Sequence, residues 1–328
     1  MSKVVCFIAV AAFAVASLLI MTSPAHATFS GENGRIAFQR VFWRSDGSPA
    51  RIPIFTIRPS GARLRQVTHP PLGVETARVR WSPNGRWLAY MRTKLDPRRG
   101  HIIVARPNGT RRNDLTRGHC PRSSCSGEED PAWSPTGKRI AFIRTVGQTQ
   151  VLFVMRKNGT HRVQVMQNAG RYDDWAPTWS PTGHRLVFRR WDNVREAAAL
   201  FVVRVDGAHA RRITSWALDA LNRPDWSPNG RWILFQRPNA KEQTRLCLIH
   251  PNGTGFRRIT HSRLWRWGRF SPDGTLITAL REPGETTQDD LYVLHLDGSG
   301  IKPVTGNVLD PGEPSAPAEG LPDWGTHR

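Results

Sequence analysis

The sequence predicts an all-β protein, a six-bladed β-propeller with four-stranded blades. Three observations lead to this fold: a turn motif that recurs at blade-sized intervals, a second series of glycine hairpins, and half a repeat at each end of the chain. Self-similarity at periods of about 40 to 50 residues is typical of propellers, in which each repeat folds as one blade.

The first motif reads aromatic-Ser-Pro-x-Gly. Ser, Pro, a polar residue and Gly suit the four positions of a type I turn, because Pro presets φ at the second position and Gly accepts a positive φ at the exit. An alternating apolar strand follows the turn, as in residues 87–91 and 140–143. The motif glycines, together with Gly34, are spaced by 44 to 52 residues, and the motif occurs at 81–85, 133–137, 179–183, 226–230 and 270–274.

A second motif is a tight hairpin with glycine, followed by a basic strand. Asn-Gly and Asp-Gly are the strongest short hairpin signals. Six hairpins predict six blades, and their glycines are Gly61, Gly109, Gly159, Gly207, Gly253 and Gly298. Five of the basic strands end in threonine: Thr68, Thr116, Thr214, Thr260 and Thr305.

The two ends of the chain each carry part of one repeat. The first unit, residues 31–38, has the turn and the second strand but no aromatic strand before them. The C-terminal segment 321–325 supplies such a strand and resembles 223–226 closely. We therefore predict that the C-terminal strand completes the N-terminal blade, which closes the ring and leaves no large open sheet edge.

The N-terminus predicts export. Lys3 precedes an apolar run over 4–21, and Ala25-His26-Ala27 is a small-residue cleavage site. We predict a signal peptide at 1–27 and one propeller domain at 28–328, without a membrane span after cleavage. An uncleaved membrane anchor is the alternative, because the apolar run is near spanning length. The protein is expected to be a monomer that is secreted, periplasmic or held in the cell envelope.

Cysteine use fits an oxidising compartment. Cys120 and Cys125 flank a short loop and are candidates for a disulfide. Zinc binding is disfavoured because no second Cys or His pair has ligand spacing. Cys247 lies in an apolar strand and is expected to be a buried free thiol. We expect neither a metal nor another cofactor.

The chain is strongly basic, with a formal net charge of +21 carried largely by arginine. Such a field attracts polyanions, namely nucleic acid, anionic lipid or acidic cell-wall polymers. Export argues against nucleic acid, so the predicted partner is a protein or an anionic cell-wall polymer. The alternative is that the charge reflects composition spread over a solvated surface.

The repeat as a whole, Trp-Ser-Pro-x-Gly-x-x-Ile-x-Phe with its Asx-Gly hairpin and closing Thr, resembles the TolB-like β-propeller repeat over residues 33–324. The resemblance implies the fold. Relatives include periplasmic scaffold proteins, gating domains of peptidases and some polysaccharide-degrading enzymes. TolB carries an α/β domain before its propeller, whereas here the first repeat follows the predicted signal peptide at once.

Catalytic signatures are missing from the sequence. It has no Gly-x-Ser-x-Gly elbow, His-Glu-x-x-His motif or phosphate loop. We therefore predict a non-catalytic binding scaffold. The alternative is a lyase or hydrolase acting on an acidic glycan at the propeller channel, where His119 with Arg122, or Asp174 with Tyr172, are the first candidates.

The segments before the aromatic strands are the predicted binding surface, because such connections gather on one face of a propeller. Acidic residues there could hold a cation, or Asp130, Asp174 and Asp225 could brace neighbouring blades. The tryptophans could stack on sugars or bind a protein, or pack between blades. The candidate binding residues are Tyr172, Asp174, Trp175, Trp265, Arg266, Trp267 and Arg122.

Overall fold

The computed structural model describes residues 31–94, 99–118, 125–168, 170–238, 243–261, 265–281, 290–305 and 318–327. These residues form six separate antiparallel sheets, which confirms the predicted six-bladed propeller. The predicted signal peptide lies outside the described residues. Within them, no helix is long and apolar enough to cross a membrane.

Each blade runs from an inner strand at the channel to a short outer strand. Blade 1 contains β25 (Ala318–Thr326), β1 (Asn33–Trp43), β3 (Ile54–Ile57) and β4 (Arg65–Gln66), with β2 (Pro49–Arg51) beside the end of β1. Blade 2 contains β5 (Val74–Trp81), β6 (Leu88–Lys94), β7 (His101–Ala105) and β8 (Asn113–Asp114). Blade 3 contains β9 (Cys125–Trp133), β10 (Arg139–Val146), β11 (Thr149–Arg156) and β12 (Val163–Gln164).

The remaining three blades follow the same order. Blade 4 contains β13 (Tyr172–Trp179), β14 (Arg185–Asp192), β15 (Ala197–Arg204) and β16 (Arg211–Arg212). A short 3-10 helix, Trp216–Leu218, leads to blade 5, with β17 (Leu221–Trp226), β18 (Ile233–Pro238), β19 (Thr244–Ile249) and β20 (Arg257–Arg258). Blade 6 contains β21 (Trp265–Phe270), β22 (Leu276–Arg281), β23 (Asp290–His295) and β24 (Lys302–Pro303).

The repeated residues each have a local structural role. In the first complete turn, the Gly85 N–H donates to the Ser82 carbonyl at 2.9 Å, and the Ser82 hydroxyl accepts from the Trp87 N–H at 2.9 Å. The other four turns repeat both bonds. The closing threonines accept from a backbone N–H of the third strand, as Thr68 does from Ile54 at 2.8 Å. These bonds satisfy backbone donors beside the very short outer strands.

Two faces of the ring follow from the alternating strand directions. Turns that join first to second strands, and hairpins that join third to fourth strands, lie at one end of the ring, called here the hairpin face. The links between second and third strands and between blades lie at the opposite connection face. Apolar cores fill the space between adjacent blades, as where Trp179 of blade 4 packs with Ala132 of blade 3.

The C-terminal strand closes the ring as predicted. In blade 1, Trp324 of β25 pairs with Ile36 of β1. The Asp323 carboxylate reaches blade 2, where it accepts from the Trp81 backbone N–H at 2.7 Å and from Arg80 at 3.0 Å. The strand β25 is therefore bonded to β1 of its own blade and to the inner strand of blade 2.

Gly325 occupies the place that serine has in the other repeats. A Cβ here would lie 2.6 to 2.9 Å from three atoms of the Trp81 indole. We expect Gly325→Ala to destabilise the protein by about 1–3 kcal/mol, because the buried indole cannot move without repacking. Denaturant unfolding measures this. If the clash is the cause, Trp81→Phe lowers the free energy of unfolding by less in the Gly325→Ala background than in the wild type. An equal loss in the two backgrounds contradicts the clash as the cause.

Candidate binding site

Five of the inner strands share a β-bulge just before the motif aromatic. The residue three before the motif aromatic has a positive φ in these blades, at Arg78, Asp130, Ala176, Trp267 and Leu321. The pairing register with the second strand shifts at the same place. Bulges re-aim side chains in this way, and in blade 3 the bulged residue Asp130 reaches arginines of two other blades.

Asp130 is the centre of an ion-pair network in the channel. Its carboxylate binds Arg78 of blade 2 at 2.6 Å, Arg223 of blade 5, and the Ala176 N–H of blade 4 at 3.0 Å. Burial raises the pKa of Asp130, but the charges of Arg223 and Arg78 outweigh it and hold that pKa well below its ordinary value. Asp130 therefore links four blades, which confirms the bracing interpretation for this residue.

The channel narrows beyond this network. Arg80 pairs with Asp323 at 3.0 Å and Arg269 with Asp225 at 3.4 Å, and all four side chains are buried. Asp225 also accepts from the Phe270 N–H of the next blade, so it too braces blades. The cavity left among the motif aromatics is about 30 Å³, which is room for roughly two water molecules. A sugar ring does not fit this cavity among the motif aromatics.

The predicted residues of β13 are largely engaged within blade 4. Asp174 is fully buried and accepts from Arg190 at 2.7 and 2.9 Å and from Asn168 at 2.9 Å. Tyr172 is half-buried, with the guanidinium of Arg190 4.9 Å from its ring centre. Trp175 is half-buried as well. Asp174 thus serves its own blade, and neither it nor Tyr172 forms an acid–base pair open to a substrate.

The predicted cluster in β21 is also only partly accessible. Trp265 is fully buried, with its ring edge against Tyr292. Arg266 and Trp267 are half-buried, and Trp267 packs against the core between blades 6 and 1. Because β21 and β13 belong to blades 6 and 4, with blade 5 between them, the two predicted groups lie on separate parts of the ring.

Some residues singled out from the sequence fall in segments that the structure does not describe. His119, Cys120 and Arg122 lie outside the described residues, and of Cys125 only the backbone at the start of β9 is described. The disulfide therefore stays a prediction. Cys247 is fully buried in blade 5 as a free thiol, as predicted, and burial raises the pKa of its thiol to about 11.

An open groove lies on the hairpin face between blades 1 and 2, with a volume of about 1160 Å³. Its charged side chains are arginines on both banks, His327 also lines it, and the part of the lining that the structure describes contains no carboxylate. We call it the arginine groove. Its arginines are Arg35, Arg58 and Arg65 of blade 1 and Arg106 and Arg111 of blade 2.

The groove lies at the seam, where one motif proline is missing. Elsewhere the motif glycine of a blade packs on the motif proline of the preceding blade, with 3.2 to 3.5 Å between a Cβ built on the glycine and the ring; the pairs are Gly137–Pro83, Gly183–Pro135, Gly230–Pro181 and Gly274–Pro228. Blade 1 instead carries Trp324-Gly325-Thr326, without a proline before blade 2. Thr326 lines the groove at this position.

The charges of the arginine groove are not neutralised by the protein. Arg35 donates to the Thr56 hydroxyl at 3.1 Å, to the Thr56 carbonyl at 2.9 Å and to the Arg63 carbonyl. Burial lowers the pKa of Arg35, and the nearby charges of Arg65, Arg58 and Arg63 lower it further. In the part of the chain that the structure describes, none of the five groove arginines makes an ion pair with a carboxylate.

This arrangement is suited to anions. Guanidinium groups bind phosphate and carboxylate through paired hydrogen bonds, and unpaired cations on both banks offer several such contacts. Among the described residues, no group of three or more His, Cys, Asp and Glu is placed to hold a metal ion. The sequence signal for this site was the basic strand after each hairpin, but that signal does not show which blades face each other across a groove.

The fold places the chain in the class of six-bladed β-propellers. More particularly, it belongs to the TolB β-propeller family, because the model described as TolB beta propeller domain matches residues 74–318. No curated protein matches the chain.

Solved structures show the same fold. TolB from Acinetobacter baumannii is 16% identical, with a TM-score of 0.68 over 92% of this chain and 68% of that one. A putative TolB from Agrobacterium tumefaciens is 17% identical, with a TM-score of 0.63 over 83% and 89%. An oligogalacturonate lyase in complex with manganese is 13% identical, with a TM-score of 0.53 over 84% and 74%.

Proposed function

We propose that this protein is a non-catalytic binding scaffold, exported to the cell envelope or exterior, which holds an anionic polymer in the arginine groove. The observation that carries the proposal is a groove of about 1160 Å³ whose lining, among the described residues, has five arginines and no carboxylate. The TolB β-propeller family supports a scaffold role, and the predicted signal peptide supports export.

The groove favours a polymer over a single small anion. Its cations lie on two blades, with Arg35, Arg58 and Arg65 on one bank and Arg106 and Arg111 on the other. A chain with repeated phosphates or carboxylates can contact both banks at once, and each added contact then strengthens binding as an intramolecular event. The channel, in contrast, contains the protein's own ion pairs, and the described residues there offer no comparable set of unpaired cations.

We expect the mature chain, residues 28–328, to bind poly(glycerol phosphate) or polygalacturonate and not neutral dextran. Arg58, Arg65 and Arg111 are exposed and make no ion pair, so their triple change to Gln should leave the fold intact. Each exposed ion pair contributes about 0.2–1 kcal/mol, so the triple variant, which loses three of them, should bind up to roughly 100-fold more weakly. Calorimetry at physiological and at high salt measures this.

A matched control separates a site from general charge. Arg156, Arg231 and Arg258 are equally exposed arginines of the same face outside the groove. Their triple change to Gln removes the same charge and should leave binding nearly unchanged. Equal losses in the two triple variants would show that attraction is nonspecific and would move the search to protein partners. Shortening of polygalacturonate during incubation would instead support the glycan-degrading alternative.

A further inference from the structure

The floor of the arginine groove is built where the two ends of the propeller meet. Asn33 and Gly34 at the start of β1, and Thr326 and His327 at the end of β25, all line it. Asn33 pairs with Thr326, and the His327 N–H donates to the Glu32 carbonyl at 2.7 Å. The groove therefore exists in this form only while β25 is docked.

The end of β25 also holds the two banks in register. In blade 1 it pairs with β1, which carries Arg35. Towards blade 2, the Thr326 hydroxyl donates to the Pro83 carbonyl at 3.0 Å, and Gly325 lies against Trp81. Trp81 itself lines the groove. Undocking β25 removes part of the floor and the bond that ties one bank to the other.

Docking of β25 is the non-local step of ring closure. Every other inner strand is joined to its second strand by a motif turn of the same blade, whereas β25 pairs with a strand about 290 residues away in sequence. The end of β25, which lines the groove, can fray locally with a free energy smaller than that of global unfolding, whereas loss of the whole strand opens the blade.

We propose that a polyanion bound in the arginine groove locks the ring closed by holding β25 in place. This rests on the proposed function of the groove. A ligand that binds the closed ring and not the open one stabilises the closed ring by RT ln(1 + [L]/Kd), and by linkage the ligand binds only while the ring is closed. The groove then couples ligand binding to the integrity of the propeller.

Hydrogen exchange on the mature chain tests this, with poly(glycerol phosphate) and polygalacturonate as the two probes. With a probe at 100 times its Kd, exchange of the β25 amides and of their β1 partners should slow by up to about 100-fold. Amides of β14 and β15 that exchange by local opening should not change. Binding is measured by calorimetry under the same conditions.

A circular permutant gives the control. Residues 327 and 31 are joined by a short Gly/Ser linker, and new termini are placed at Val194, which is 75% exposed between β14 and β15. The permutant should still bind the probe but show little further slowing at the seam, because its ring is already held shut. Binding without slowing in the natural chain, or equal slowing in the permutant, overturns the locking proposal alone. Absence of binding overturns the proposed function and the locking proposal with it.

Discussion

Asp130→Ala is expected to lower the free energy of unfolding by about 3–5 kcal/mol, because it leaves charged groups buried without a partner. The carboxylate binds Arg78 and Arg223 and accepts the Ala176 N–H, so its loss acts on three other blades. Guanidinium chloride denaturation of the mature chain measures the change.

Two variants control this prediction. Arg204→Ala breaks an ion pair of similar length, 3.0 Å to Asp206, between exposed side chains; it should change stability little, since surface pairs contribute little. Arg223→Ala added to Asp130→Ala should recover part of the loss, because it removes one uncompensated cation. Similar costs for Arg204→Ala and Asp130→Ala would show that the channel network is not important for stability.

The pH dependence of this contribution has a definite sign. The pKa of Asp130 is held below its ordinary value in the folded protein, so the carboxylate binds fewer protons there than in the unfolded chain. Its contribution is therefore fully present above the unfolded pKa of about 4 and is lost as the pH falls towards the folded pKa. We expect the difference in stability between wild type and Asp130→Ala to shrink in strong acid and to stay constant between pH 6 and 8.

Removal of residues 318–328 is expected to have the largest effect of all. It deletes the inner strand of blade 1, including the buried Trp324 and the Asp323 carboxylate that binds Arg80. Loss of a buried Trp alone costs about 3–5 kcal/mol, and the uncompensated arginine adds to it, so the total approaches the whole stability of a domain. The exposed edge of β1 should also promote association.

Circular dichroism, thermal unfolding and size-exclusion chromatography measure the effect of the truncation. A synthetic peptide of residues 318–328 added in trans should restore part of the cooperative transition by adding the missing strand back to β1. A scrambled peptide of the same composition should not. A truncated chain that stays monomeric, with an unchanged melting temperature, would show that β25 is not needed to close the ring.

The candidate site was predicted less well from the sequence than the fold. Trp265 looked like an exposed stacking residue because it sits between Arg and Trp, yet it is fully buried against Tyr292. Asp174 looked like a binding carboxylate, but Arg190, sixteen residues away on the next strand, occupies both of its oxygens. Whether these residues bind a ligand stays a prediction, but their unexpected burial has one cause: alternation along a strand does not reveal which side chains a neighbouring strand covers.

The sequence by itself determined the strand and turn structure of each blade and the number of blades. Turn chemistry is local, so Ser82, Gly85 and Thr68, with their repeats, specify hairpins through bonds to their own neighbourhood. Ring closure also followed, because the half-repeat at each end has only the other end as a partner.

Only the tertiary structure decided where the charge is neutralised and where it is left unpaired. Asp130 binds arginines more than 50 and 90 residues away in sequence. Such contacts depend on the rotation from one blade to the next in the closed ring. The arginine groove lies where one blade lacks a turn proline, and the seam brings Arg35 and Arg106 of adjacent blades into one lining. Charge can be counted along a chain, but its compensation depends on distances across the fold.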